Sequence, residues 1–123
     1  MSNAISVIQI FKDEIFIASG TAEFIIDLER ENANGYFSLQ MVVTGSAAGV
    51  LKGEYKVSNN NVNFVEPTGA TDIFEGLDKD GGPLSDGVDM YSFEPELSKF
   101  LKVVITETGG AAGVTFGAWL AIQ

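Results

Sequence analysis

The chain has 123 residues and a mass of 13.1 kDa, which suits a single domain, residues 1–123, built around one hydrophobic core. It contains neither cysteine nor histidine, which excludes disulfides, thiolate zinc sites and the Ser–His and Cys–His catalytic pairs. Seventeen acidic residues against seven basic ones give a net charge of −10, and phosphate backbones and anionic membranes repel such a chain. We therefore expect no nucleic-acid partner and no membrane partner.

β-Branched and aromatic residues occur in short runs that are separated by Gly, Asn, Asp and Pro, a pattern typical of strands and turns. A turn signal follows about every ten residues, which predicts an all-β fold, an antiparallel β-sandwich of jelly-roll type with about eight strands. In chain order, the apolar runs are 5–11, 15–18, 24–26, 36–44, 50–58, 63–66, 89–93, 100–108 and 114–122.

Short connections between these runs suggest which strands pair. Tight turns join 36–44 to 50–58 and 50–58 to 63–66, which predicts a three-stranded meander. A glycine-rich turn predicts a hairpin between 100–108 and 114–122. The last run has few polar residues on either face, and we expect it to be central in its sheet.

Residues 68–88 form a long acidic loop that is rich in glycine, with Ile73, Phe74 and Leu77 as an isolated apolar group. Loops of this length in compact domains are usually functional. Residues 66–96 hold nine acidic residues and one basic residue, a net charge of −8, so the remaining chain carries only −2. The charge is therefore concentrated in one segment, which we expect to face solvent or a basic partner.

No residues in the sequence form a convincing catalytic or metal-binding motif. Asp78 to Asp89 is spaced like a calcium loop, but Gly82 and Pro83 replace two of its most informative residues, and turns select Asp and Gly anyway. A pair of carboxylates suited to glycoside hydrolysis is not a specific signal here, because seventeen acidic residues make some such pair inevitable. We therefore expect a protein that is not an enzyme and has no catalytic residues, no metal and no cofactor.

Four aromatic side chains offer a different function. Tyr36, Tyr55, Tyr91 and Trp119 could stack on sugar rings, as in small carbohydrate-binding modules. The alternative is that they pack in the core, because Tyr55 lies on the apolar face of its strand and aliphatic residues flank Trp119. Core packing is the favoured interpretation.

Several segments of the sequence resemble small β-sandwich proteins encoded among the structural genes of tailed bacteriophages and prophages. The likeness extends over residues 22–123 and contains no catalytic motif. The segments that carry it are GYFSLQMVVTG at 35–45, EYKVSNN at 54–60, DGVDMYSF at 86–93, VITETGG at 104–110 and VTFGAWLAIQ at 114–123.

The resemblance implies a virion structural protein, most plausibly a decoration or cement protein on the outer capsid surface, made in the host cytoplasm. Its partners would be the major capsid protein and further copies of itself, as a homotrimer. A carbohydrate-binding module and a tail, neck or fibre component are the alternatives.

Within this hypothesis, two apolar segments outside the clearest strand pattern are the candidate contact elements. The first is the N-terminal run, which is either an exchanged arm (residues 1–11) or an edge strand, and the second is the long acidic loop. The predicted interface residues are Ile5, Val7, Ile8, Phe11, Ile73, Phe74 and Leu77.

Overall fold

The structure, a computed structural model, describes residues 5–28, 35–45, 48–81 and 87–123. Alternation of apolar and polar residues places one face of most strands against the core. The eight strands are β1 (Ser6–Phe16), β2 (Thr21–Asp27), β3 (Phe37–Gly45), β4 (Val50–Ser58), β5 (Leu77–Asp78), β6 (Val88–Phe93), β7 (Phe100–Glu107) and β8 (Val114–Ile122).

The strands form two four-stranded antiparallel sheets, ordered β1-β8-β3-β6 and β2-β7-β4-β5. This order is that of a jelly roll, in which successive strands alternate between the two sheets except at β4 and β5, which are neighbours in one sheet. The predicted fold class is confirmed. The prediction for the last strand is also correct, because β8 lies between β1 and β3 at the centre of its sheet.

The predicted meander and hairpin are wrong. β3 and β4 belong to different sheets, as do β7 and β8, so each connection crosses the sandwich instead of joining neighbours. Residues 63–66 make a single bridge, Val57 to Val65, and no strand. Two packed sheets lie about 10 Å apart, a distance that a short loop spans as readily as it turns within one sheet. The alternation pattern identifies buried faces but does not identify partners.

The N-terminal run is the edge strand of the chain's own sandwich. β1 pairs with β8 from Ser6↔Ile122 to Phe16↔Val114, with two irregularities between them. Phe11 is buried in the core, where its ring contacts Phe116 at a centroid distance of 5.6 Å. Its assignment as an interface residue is therefore corrected. Residues 1–4 of the predicted arm lie outside the described residues.

The apolar group of the acidic loop also belongs to the core. Ile73, Phe74 and Leu77 are 3%, 6% and 0% exposed, which corrects the prediction that they form an outward contact patch. The Ile73 N–H donates to the Gly53 carbonyl at 2.6 Å, and the Phe74 ring occupies the space that a side chain on Gly53 would need. Residues 68–81 thus fold back over β4, because only that placement removes the three side chains from water. Residues 82–86 of the loop lie outside the described residues.

Candidate functional site

The outer face of the β1-β8-β3-β6 sheet carries no charged side chain on β3, β6 or β8, and we call it the neutral face. Its central row runs across all four strands as Gln9, Trp119, Gln40 and Met90. Charged residues in these strands are confined to the bulged part of β1, residues 12–14, and to Asp89 at the inner side of the opposite edge. The neutral face comprises Val7, Gln9, Ile15, Ser38, Gln40, Val42, Thr44, Val88, Met90, Ser92, Thr115, Gly117, Trp119 and Ala121.

Trp119 lies on this face and is half-buried, which corrects its predicted place in the core. The inner side of β8 is filled by Phe116, Ala118 and Leu120, so alternation turns the tryptophan outward. Its ring lies beside Gly117, where an added Cβ would be 3.6 Å away. A methyl group at residue 117 would therefore make an ordinary van der Waals contact with the tryptophan ring.

Exposed apolar side chains surround the tryptophan. Val7 is 62% exposed, Ile15 71% and Met90 54%. Ile5 precedes β1 and is also exposed, whereas Ile8 is partly buried against the core. Of the predicted interface residues, Ile5 and Val7 are thus the two that present their side chains to solvent.

The outer face of the other sheet carries charged side chains of both signs. Lys102 lies 3.7 Å from the Glu23 carboxylate, and its ammonium is 4.1 Å from the centre of the Phe64 ring. The two outer faces of the sandwich therefore differ in the number of charged side chains that they carry. The charged residues that alternation places on the outer face of this sheet are Glu23, Asp27, Lys52, Glu54, Lys56, Asp78 and Lys102.

Two carboxylates interact on this charged face. Burial raises the pKa of Glu54, and the hydrogen bond and negative charge of Glu66 raise it further. The hydrogen bonds that Glu66 makes with Thr71 and Glu54 hold the pKa of Glu66 below its usual value. Glu54 belongs to β4 and Glu66 to the segment that follows it, and we assign the pair no chemistry.

A buried carboxylate, Glu107, holds together the loops at one end of the sandwich. Burial alone would raise its pKa, but backbone hydrogen bonds outweigh that effect and hold the pKa below its ordinary value. No oxygen of this group is left for a substrate, so its role is structural. Oε1 accepts from the N–H groups of Ser19 (3.1 Å), Gly110 (2.8 Å) and Ala111 (3.2 Å), and Oε2 from those of Val50 (3.2 Å) and Gly109 (2.6 Å).

Sequence reasoning missed Glu107. The signal was present, because Glu107 continues the inward-facing series Leu101, Val103 and Ile105 of β7 and precedes two glycines. A charged residue in an apolar series must find partners, and flexible glycine N–H groups are suitable donors.

A cleft with a volume of about 560 Å³ is lined by tyrosine rings, and we call it the tyrosine cleft. It opens where β3 begins and β6 and β8 end, and Tyr36, Tyr55 and Tyr91 all line it. Tyr36 is 59% exposed and Tyr91 36%, whereas Tyr55 is buried. The structure therefore brings three of the four sugar-stacking candidates together and leaves Trp119 on the neutral face.

Tyr55 forms the inner wall of the cleft. Its hydroxyl donates to Glu96 Oε1 at 3.2 Å, and its ring packs 5.3 Å from Phe93. Burial, followed by the charge and hydrogen bond of Glu96, raises the pKa of Tyr55 to about 12. The phenol is therefore a fixed neutral donor, while the two exposed tyrosines present free ring surface.

The acidic loop shows no metal geometry where it is described. Within residues 5–28, 35–45, 48–81 and 87–123, no three acidic side chains gather closely enough to hold a metal ion. Asp78 accepts a hydrogen bond from the Asp80 N–H at 3.0 Å, so it caps its own turn. Asp86, a further member of the calcium pattern, lies outside the described residues.

No helix in the described part of the chain is long and apolar enough to cross a membrane.

Comparison with known proteins defines the class of fold and nothing narrower. No family model matches the chain, and no curated protein matches it. Among solved structures, it is similar to the CBM22-1 xylan-binding domain of Xyn10C from Paenibacillus barcinonensis at 9% identity and a TM-score of 0.51, over 98% of this chain and 82% of that one.

Two further solved structures are similar over most of this chain. The SPBc2 prophage-derived protein YomS has 11% identity and a TM-score of 0.43, over 96% of this chain and 93% of that one. The VP2 protein of the infectious bursal disease virus subviral particle has 12% identity and a TM-score of 0.48, over 98% of this chain and 32% of VP2. At such identities the likeness is one of fold, the two-sheet β-sandwich.

Proposed function

We propose that the chain is a non-enzymatic virion structural protein of a tailed phage, attached to the outer surface of the capsid as a decoration or cement protein. The observation that carries the proposal is the neutral face. In a chain of net charge −10, an outer sheet face whose charged residues are confined to the bulge of its edge strand β1 can be desolvated over β3, β6 and β8 without burying an unpaired carboxylate. The charged outer face of the opposite sheet would then point toward solvent.

The size of the neutral face suits attachment in many copies. Four strands at about 4.8 Å spacing and about eight residues of length give roughly 500 Å² of sheet in projection. An interface of that size is weak for one copy. Many copies arranged on one shell would together resist its expansion, because each contact adds to the others through multivalency.

The proposed partners are the major capsid protein on the neutral face and further copies of this chain in a homotrimer. Ile5 and Val7 are the predicted interface residues that remain exposed, and they lie at the free edge of the sheet, where a neighbouring copy has access. Light scattering of the purified chain would then give a mass of about three times 13.1 kDa. A monomer at all concentrations would contradict the trimer and leave the attachment to be tested separately.

Attachment is tested by co-sedimentation of the purified chain with empty heads assembled from the coat protein of the same gene cluster. Gln40→Glu places a charge at the centre of the neutral face, and we expect about tenfold weaker binding, since a charge would be desolvated there. Thr21→Glu, on the outer face of the other sheet, is the matched control and should bind like the natural chain. Equal binding by both variants, or no binding of the natural chain, would refute the attachment surface.

The position in the particle is a separate question with its own experiment. Quantitative mass spectrometry of heads and tails purified from one virion preparation would place the chain in one fraction. Recovery with heads supports decoration, whereas recovery with tails supports the tail, neck or fibre alternative and refutes the capsid location.

A further inference from the structure

We infer that the tyrosine cleft is a binding site for a neutral oligosaccharide. This site adjoins the neutral face, with which it shares Ser38, Ser92 and Ala121, but the inference does not depend on attachment to a capsid. It begins with the two exposed rings, Tyr36 and Tyr91, which are the most exposed aromatic side chains in the described part of the chain and line the same cleft. Exposed aromatic rings beside a cavity are costly in water unless they cover something apolar, such as the C–H face of a pyranose ring.

The rings are held in place for such a contact. Tyr91 stacks on Phe93 with centroids 6.2 Å apart, and Phe93 in turn stacks on Phe37 at 5.7 Å. Tyr36 is fixed through its backbone, which exchanges two hydrogen bonds with Gln123 at 3.3 and 3.0 Å. A ligand would therefore meet one ring that is already held by stacking and a second ring whose backbone is fixed, which lowers the entropic cost of binding.

Charge defines the class of ligand. Among the described residues that line the cleft, none is lysine or arginine, and Glu94 contributes a carboxylate. With a net charge of −10 on the whole chain, an acidic sugar or a phosphate would be repelled. A neutral sugar has hydroxyl groups that donate to a carboxylate, and it needs no cation.

The polar groups and the shape favour a sugar over an organic cation. Ser38 and Ser92 line the cleft beside Glu94, so hydroxyl donors and acceptors accompany the rings. A quaternary ammonium ion is bound by several rings that enclose it, whereas only two exposed rings are present here, since Tyr55 is buried. A volume of about 560 Å³ lies within the range of small-ligand sites.

Titration calorimetry of the full chain with xylohexaose, cellohexaose, maltohexaose and chitohexaose tests the inference. We expect at least one of them to bind, and Tyr36→Ala and Tyr91→Ala each to weaken that binding by about tenfold or more. Tyr36 is mostly exposed, so Tyr36→Ala should keep the thermal unfolding midpoint of the natural chain, whereas Tyr91→Ala also loses its stacking on Phe93 and should unfold at a slightly lower temperature. Ile17→Ala is the control, because it removes an exposed apolar side chain near the opposite end of the sandwich.

Three outcomes would overturn the inference. The first is that none of the four hexasaccharides binds at millimolar concentration. The second is that one binds but the two tyrosine variants bind it as well as the Ile17→Ala control does. The third is that choline binds the cleft in a competition experiment and no hexasaccharide displaces it, which would assign the cleft to an organic cation.

Discussion

The substitution Glu107→Gln tests whether one buried carboxylate holds the loops at its end of the sandwich. The change keeps the shape of the side chain and replaces one oxygen by an amide nitrogen, which donates hydrogen bonds and does not accept them. If the nitrogen takes the place of Oε2, it faces the N–H groups of Val50 and Gly109. If it takes the place of Oε1, it faces three backbone donors.

The expected destabilisation follows from the amide orientation that leaves fewer backbone N–H groups without an acceptor. Two donors lose their acceptor, and an unsatisfied buried donor costs about 1–3 kcal/mol. Gly109 is exposed and water can reach its N–H, so the low end applies to it. We expect the variant to lose about 3 kcal/mol of the free energy of unfolding, which for a domain of this size is about 10 °C in Tm.

The pH dependence has a definite sign. The folded-state pKa of Glu107 lies below the ordinary value of 4.5, so its stabilising effect is present above pH 4.5 and is lost as the pH falls through the folded value. The difference in unfolding free energy between the natural chain and Glu107→Gln should therefore be constant near neutral pH and shrink under acid conditions.

Urea unfolding followed by far-UV circular dichroism at several pH values measures this difference. Glu23→Gln is the matched control, since its carboxylate is exposed and makes only a surface ion pair with Lys102, worth less than about 1 kcal/mol. A Glu107→Gln variant within about 0.5 kcal/mol of the natural chain, or a difference that does not change down to pH 3, would refute the reasoning.

Three further substitutions test other parts of the sandwich. Gly53→Ala should lower the unfolding free energy measured in urea by about 3 kcal/mol, because its methyl group would meet the Phe74 ring. Adding the substitution Phe74→Leu should recover part of that loss. No recovery would contradict the packing of Phe74 on Gly53. Glu54→Gln should raise the unfolding free energy at pH 7 by about 0.5 kcal/mol. Burial and Glu66 raise the pKa of Glu54, so its ionised form destabilises the fold. The gain in stability should vanish below about pH 4, and a gain that persists there would exclude ionisation as its cause. Leu77→Ala should cost about 3 kcal/mol as a core cavity, measured by thermal unfolding, whereas a contact residue would leave Tm unchanged.

The sequence predicted those features that depend on local patterns. Turn residues marked most strand ends, and the alternation in β4 correctly placed Tyr55 on the inner face. The long apolar run of β8 predicted a central strand, because only a strand with neighbours on both sides needs so few polar residues.

The features that the sequence left undetermined depend on long-range partners. Trp119 could have faced either way in β8, since apolar residues flank it on both sides of the strand, and its outward position became clear only once the core partners of Phe116 were known. Ile73 and Leu77 looked like a surface patch because the glycine that accommodates their neighbour, Gly53, lies twenty residues earlier. The tyrosine cleft likewise joins residues from four strands, β3, β4, β6 and β8, that are distant in the chain.

The pairing of β1 with β8 also constrains when the protein can assemble. A ribosome completes β1 first and β8 after all the other strands, so the sheet that bears the neutral face cannot form on a partly synthesised chain. Neighbouring nascent chains on one messenger RNA therefore do not yet possess the surface that we propose for attachment. The topology thus delays the surface that we propose for attachment until β8 has been synthesised.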